Sequence, residues 1–147
     1  MEESLFLQSA GLIGLALSSF LSATLLPGSS EALLLLIVGQ DSMSPLLPLI
    51  VASVGNTLGG ASTYWLGLWS ERRLVERGKY REPSSRALDW VRRWGPPVLL
   101  LSWVPIIGDG LCLAAGWLRL GWLPSLIAIL IGKTLRYCVL VYWFLAL

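Results

Sequence analysis

Long apolar runs separated by short polar turns dominate the chain. No charged residue occurs between Ser4 and Leu26, and residues 46–69 are likewise uncharged. Residues 123–147 form a third apolar run that is interrupted by two basic side chains. A helix needs about 20 apolar residues to cross a bilayer. We therefore predict full membrane spans at residues 46–69 and 123–147.

Two shorter apolar runs are each interrupted by a proline, a glycine and an acid. In both interruptions the acid lies four residues after the proline, giving the pairs Pro27–Glu31 and Pro105–Asp109. The predicted hairpin-turn residues are Pro27, Gly28, Pro105 and Gly108. Broken helices at membrane depth are tolerated only where protein or a wet cavity covers the freed backbone. The pattern therefore predicts two re-entrant helical hairpins.

The recurrence of this device indicates an internal repeat. Interrupted apolar segments at matching positions in two halves are typical of inverted-repeat transporters. We predict an all-α polytopic membrane protein with two opposed re-entrant hairpins and two full spanning helices. Residues 1–147 form one membrane domain: repeat 1 at 1–69, a basic loop at 70–94 and repeat 2 at 95–147. Residues 5–26 fit either a spanning helix or the descending arm of the first hairpin.

Composition agrees with a membrane class and argues against most enzyme classes. Apolar residues make up 55% of the chain, charged residues 14%, and mean hydropathy is +0.70. Histidine is absent, and Cys112 and Cys138 stand alone in apolar runs. No nucleophile–base pair or metal-ligand spacing accompanies the carboxylates. We expect no enzymatic activity, no metal and no cofactor.

The charges outside the apolar runs concentrate in residues 70–94, which hold eight basic and four acidic side chains. The positive-inside rule places such a segment in the cytoplasm. Residues 83–91 can begin an amphipathic helix on the membrane, with Leu88, Trp90 and Val91 dipping in. Nucleic-acid binding is the weaker interpretation and is not expected, because a short basic loop between membrane segments is ordinarily a topology signal.

Small residues recur every fourth position in the 46–69 span, at Gly55, Gly59, Thr63 and Gly67. This stripe lets helices approach closely in lipid, within the chain or between copies of a homo-oligomer. Asn56 and Tyr64 lie in the same span, and we expect them to form interhelical hydrogen bonds.

Four charged residues within the apolar segments are candidates for transport and substrate contact: Glu31, Asp109, Lys133 and Arg136. Lys133 and Arg136 are three residues apart and lie about ten or more residues inside the last span. Intramembrane charges usually find partners or line a wet cavity, so we expect these cations to pair with Glu31 or Asp109. The alternatives are snorkelling for the cations and a helix-capping role for Glu31.

The ordered motifs between about Ser22 and Arg136 resemble the DedA superfamily, also called the VTT or SNARE-associated Golgi protein group. The motifs are Pro27-Gly28 with Glu31, the pattern Gly55, Gly59, Tyr64 and Gly67, and the proline-centred second hairpin. Residues 101–109 and 115–119 are most similar to its short YqaA-like branch. The resemblance implies opposed re-entrant hairpins in a bacterial inner membrane. It also implies translocation of polyprenyl phosphates or phospholipids, often linked to the proton gradient.

The chain departs from the pattern of larger family members at three positions. Those members carry arginines three residues before and three residues after the hairpin proline, where this chain has Ser102 and Gly108. The acid of the first hairpin often follows Pro-Gly directly in the family, whereas Glu31 comes three residues after Gly28. Lys133, Arg136 or the half-helix N-termini would have to replace the missing cations.

Two functions follow from these patterns. The first is translocation of a lipid or an anionic lipid-linked substrate, with or without proton coupling, and with membrane lipids and a lipid phosphate as partners. The second is a structural, assembly or membrane-homeostasis role, in which the buried charges only hold the hairpins together. An intramembrane enzyme is the least favoured reading.

Overall fold

The computed structural model describes residues 1–23, 28–41 and 43–147, which contain helices and turns but no β-strand. The α-helices are α1 (Glu2–Ser22), α2 (Ser29–Val38), α3 (Leu46–Glu76), α4 (Arg86–Trp94), α5 (Ile107–Trp117) and α6 (Trp122–Ala146). A 3₁₀ helix, η1, covers Pro96–Trp103. The predicted all-α class is confirmed. The predicted turn residue Pro27 lies outside the described residues.

Three of these helices, α1, α3 and α6, are long and apolar enough to cross a membrane. The sequence predicted two such helices and left residues 5–26 open. The structure makes Glu2–Ser22 a single helix of 21 residues. Its acids, Glu2 and Glu3, lie in the first turn, so no charge interrupts the rest of the helix.

The helix α2 returns antiparallel along α1. Ser29 Oγ lies 3.3 Å from Ser18 Oγ, and Ser30 Oγ lies 3.1 Å from Ser22 Oγ. With ten residues, α2 is about 15 Å long, half of a hydrocarbon core of about 30 Å. Gly28, directly before α2, has a φ of 96°, a conformation that glycine adopts without strain. The α1–α2 pair is therefore a helical hairpin with one half-length arm.

A second hairpin is formed by η1 and α5. The residue before α5 again has a positive φ, 67° at Ile106. The sequence predicted Pro105 and Gly108 as turn residues, but α5 already begins at Ile107, so Gly108 and Asp109 lie in its first turn. A Cβ at Gly108 would come 2.5 Å from the carbonyl oxygen of Ser102. The missing side chain lets the two arms touch and the helix start early.

The small-residue stripe of α3 is covered by helices of the same chain. A Cβ at Gly55 would lie 2.7 Å from the Ala16 carbonyl oxygen, and one at Gly59 would lie 2.6 Å from the Phe20 carbonyl oxygen. Gly67 packs against the backbone of α5, and the half-buried Thr63 donates a hydrogen bond of 3.0 Å to the Gly59 carbonyl oxygen. Contact with α1 and α5 occupies this face, which a dimer would otherwise use.

The basic segment is more ordered than the predicted loop. The helix α3 continues to Glu76, and α4 begins after Ser85, whose Oγ accepts a hydrogen bond from Ala87 N. Leu88 and Val91 are buried in a core shared with η1 and α5, whereas Trp90 is exposed. The expectation that Leu88 and Val91 dip into the membrane is wrong, because the second hairpin offers them an apolar surface.

Antiparallel packing of α6 on α3 brings α6 against both hairpins. Tyr137 of α6 contacts Asn56 of α3, and Lys133, four residues earlier, lies beside Gly60. The helix also contacts α2, η1 and α5. Its polar face is therefore where the two hairpins can meet.

Candidate functional site

The four charged candidates form two ion pairs, and both pairs are anchored on α6. Arg136 pairs with Glu31 of α2, and Lys133 Nζ lies 3.2 Å from Asp109 Oδ1 of α5. The two cations are three residues apart, about 4.5 Å along the helix axis. Glu31 and Asp109 thus reach adjacent turns of α6, but each contacts a different cation.

These charges are largely removed from solvent. The Lys133 side chain is 2% exposed and Asp109 is 28% exposed, while Arg136 and Glu31 are 14% and 13% exposed. A buried charge that loses its partner is strongly destabilising, because its desolvation is no longer compensated. Mutual neutralisation therefore keeps the four charges tolerable in this interior.

Each acid occupies the third position of a returning half-length helix. Glu31 is the third residue of α2, and Asp109 is the third residue of α5. The positive end of a helix dipole favours a carboxylate there. Glu31 can therefore stabilise the start of α2 and pair with Arg136 at the same time, so the two interpretations are compatible.

A hydrogen-bonded chain of neutral side chains adjoins the Glu31 pair. Tyr137 Oη lies 2.8 Å from Ser30 Oγ and accepts a hydrogen bond of 2.7 Å from Asn56 Nδ2. Ser30 Oγ also lies 3.4 Å from Glu31 Oε2. The interhelical hydrogen bond expected of Asn56 is present. Tyr137 escaped the sequence analysis, although it directly follows Arg136.

Next to this pair, a cavity of about 520 Å³ opens between α6 and the tip of the second hairpin. Its lining residues are Glu31, Trp103, Pro105, Leu135, Arg136, Val139 and Leu140. Among the described lining residues, Glu31 and Arg136 are the only charged ones, and the other side chains are apolar. Such a cavity suits an amphiphile with one charged end.

Close packing fills positions 102 and 108, where the resemblance to larger DedA proteins would place arginine. Ser102 is buried, with its Oγ 3.4 Å from the Ile129 carbonyl oxygen. A Cβ at Gly132 would lie 2.6 Å from the same Oγ, and Gly108 touches the Ser102 backbone. Arginine at position 102 would push η1 away from α6, and arginine at position 108 would push α5 away from η1. The cations near the hairpin tips come from α6 instead.

Comparison with known proteins gives one family and several relatives. Residues 26–145 match the model of the VTT domain. The inner membrane protein YqaA of Escherichia coli K12 is 41% identical over 130 residues, 88% of each chain. An uncharacterized protein of Haemophilus influenzae is 39% identical over 144 residues, 93% of this chain and 89% of its own length. No solved structure matches the chain significantly.

Lys133 is more deeply buried than Asp109, so neutralising one or the other should lower the free energy of unfolding by different amounts. Asp109→Asn leaves an almost fully buried ammonium without a counter-charge and should cost about 3–5 kcal/mol. Lys133→Met should cost less, because the Asp109 carboxylate keeps partial solvent access. The double variant Asp109→Asn/Lys133→Met should be more stable than the sum of the two single effects predicts, because no unpaired charge is left. Thermal unfolding of the four proteins in detergent measures these differences, and additive effects would contradict the pairing.

Loss of the Tyr137 hydroxyl should destabilise the junction of α2, α3 and α6. Tyr137→Phe removes both hydrogen bonds and leaves the buried Asn56 amide without this acceptor, at a cost of about 1–3 kcal/mol. Tyr142→Phe is the matched control, because Tyr142 is 73% exposed on the same helix. Equal melting temperatures for the two variants would show that the hydroxyl bonds contribute nothing.

Proposed function

The chain belongs to the VTT-domain (DedA) family of membrane proteins. We propose that it translocates a lipid or an anionic lipid-linked substrate across the inner membrane. Polyprenyl phosphates and phospholipids are the substrate classes that fit. The observation that carries the proposal is the Glu31–Arg136 pair in the wall of an otherwise apolar cavity.

The cavity fits an amphiphile in both size and chemistry. Sites for small molecules typically measure about 300–1,000 Å³ and are mostly apolar, with a few polar groups that fix orientation. An anionic head group would bind the Arg136 guanidinium, whose planar donors match phosphate oxygens. The acyl or isoprenoid chain would lie along Leu135, Val139 and Leu140 of α6.

The charges of Arg136, Glu31 and an incoming anion suggest how the proposed transport step would proceed. In the structure Arg136 is already neutralised by Glu31. An incoming anion must therefore take the place of the carboxylate, and Glu31 then lies partly buried without a cation. A carboxylate in that situation is costly, so Glu31 takes up a proton as the anion binds. This exchange would couple substrate binding to one proton.

Two opposed hairpins would give this site alternating access. The arms α2 and α5 are about 15 and 16 Å long, half of a hydrocarbon core. With the basic segment in the cytoplasm, the second hairpin would enter from that side and the first from the other. Rocking of one hairpin against α6 would expose the Glu31–Arg136 pair to one side at a time.

A structural role is the competing function, and one observation favours it. Both cations of α6 already have carboxylate partners. The two pairs could thus serve only to fasten the hairpins to α6. On that account neutralising a pair lowers the amount of folded protein and its phenotype together.

Glu31→Gln should abolish translocation and its dependence on a pH gradient. Without the exchangeable carboxylate, Arg136 would hold an anionic head group that nothing displaces. The measurement is movement of a labelled polyprenyl phosphate or phospholipid in proteoliposomes, with and without a pH gradient. Glu76→Gln, which neutralises an exposed acid at the end of α3, should behave as wild type.

The same experiment separates the two functions. Glu31→Gln leaves the largely buried Arg136 guanidinium unpaired and should lower the melting temperature under either function. Loss of transport by protein that is still folded at the assay temperature supports the translocase. Normal transport by Glu31→Gln contradicts proton coupling through this carboxylate. A loss of transport no larger than the loss of folded protein supports the structural role.

A further inference from the structure

A second apolar groove lies between α4 and η1. Its volume is about 530 Å³, and it is lined by Trp90, Trp94, Pro97, Val98, Leu100 and Leu101. Within the part of the chain that the structure describes, it shares no lining residue with the cavity at the Glu31–Arg136 pair. Trp90 and Trp94 are 42% and 62% exposed. Tryptophan is enriched at the level of lipid head groups, where its ring is apolar and its N–H is wet.

Positive charge flanks the tryptophans of this groove. Helical spacing puts Arg86 four residues before Trp90 and Arg93 three residues after it, on neighbouring parts of one helix face. The Arg93 guanidinium lies 5.4 Å from the Trp94 ring centroid. Asp89 offsets one of these charges, and it is the only acid in α4.

The third arginine of α4 is already engaged. Arg92 pairs with Glu82, which lies in the segment before the helix. Among the described residues, Arg86 and Arg93 have no carboxylate within ion-pair distance. These two cations are therefore available to a ligand.

We infer that the α4–η1 groove binds an anionic phospholipid as a resident ligand. Its acyl chain would lie against Trp90, Leu100 and Leu101, and its phosphate would lie between Arg86 and Arg93. Arginine donors match phosphate oxygens in pairs. Basic residues beside a membrane surface favour anionic over zwitterionic lipids. The apolar groove and the two free cations thus specify the two ends of one molecule.

A lipid in this groove would act on the second hairpin. The inner face of α4, with Leu88 and Val91, packs against η1 and α5. The outer side of η1, with Leu100 and Leu101, lines the groove. The lipid would therefore bridge α4 and η1 and brace the arm that leads to Trp103. This inference does not depend on the proposed transport function.

The test compares lipids retained by the purified protein. The protein is released from vesicles of equimolar phosphatidylglycerol and phosphatidylcholine, and its bound lipids are counted by native mass spectrometry. Wild type should retain phosphatidylglycerol preferentially. Arg86→Gln/Arg93→Gln should lower that preference roughly tenfold or more. Arg77→Gln/Arg81→Gln removes the same charge from the coil before α4 and should leave the preference unchanged.

A second pair of variants tests the groove itself. Leu101→Trp fills the groove without changing charge and should lower retention of both lipids. Ile127→Trp changes a comparably exposed position of α6 and should leave the retention of both lipids unchanged. Unchanged melting temperatures show that each variant is folded.

Three results would overturn the inference. They are equal retention of the two lipids by wild type, equal loss of preference in the two double-arginine variants, and full retention by Leu101→Trp.

Discussion

Pairing of the two α6 cations with acids of the two hairpins is the constraint on which the rest of the structure depends. Lys133 and Arg136 lie inside a helix long and apolar enough to span a membrane, where an isolated charge is expensive. Each finds its partner in the first turn of a half-length helix, where the helix dipole also favours an acid. These pairings require both hairpins to end beside adjacent turns of α6.

Close backbone contact makes this arrangement possible. Apolar surface gains little by leaving lipid for protein, so membrane helices associate through close packing and polar contacts. Gly55 and Gly59 admit α1, and Gly116 of α5 sits against the backbone of α3 at Tyr64. Gly108 and Gly132 bring η1 and its neighbours together around Ser102. The same close packing leaves no room for arginine at positions 102 and 108. The cations beside the hairpin tips are Lys133 and Arg136 of α6 instead.

The order of apolar, breaking and charged residues along the sequence predicted the long helices, the interrupted segments and the need for ion pairs. Apolar length predicted the long helices, and the repeated proline, glycine and acid predicted two interrupted segments. The cost of isolated charges predicted that Lys133 and Arg136 have partners, but not which acid each would take, because both acids are equivalent in sequence. Tertiary contacts decided the rest: the Ser30–Tyr137–Asn56 chain, and the burial of Leu88 and Val91 against the second hairpin, which overrode their expected insertion into lipid.

The depth of the two hairpin tips in a bilayer tests this account most directly. Nitroxide labels at Ala32 and Ile106, both exposed in the structure, would mark the starts of α2 and α5 in a protein whose native cysteines are replaced. Labels at Gln40 and Trp94 would mark the ends of the hairpins away from the tips. Relative accessibility to oxygen and to a water-soluble nickel complex then gives depth. The account predicts that both tip labels lie about 15 Å below the head groups, in the middle of the hydrocarbon core. Either tip label at the depth of the reference labels would contradict it.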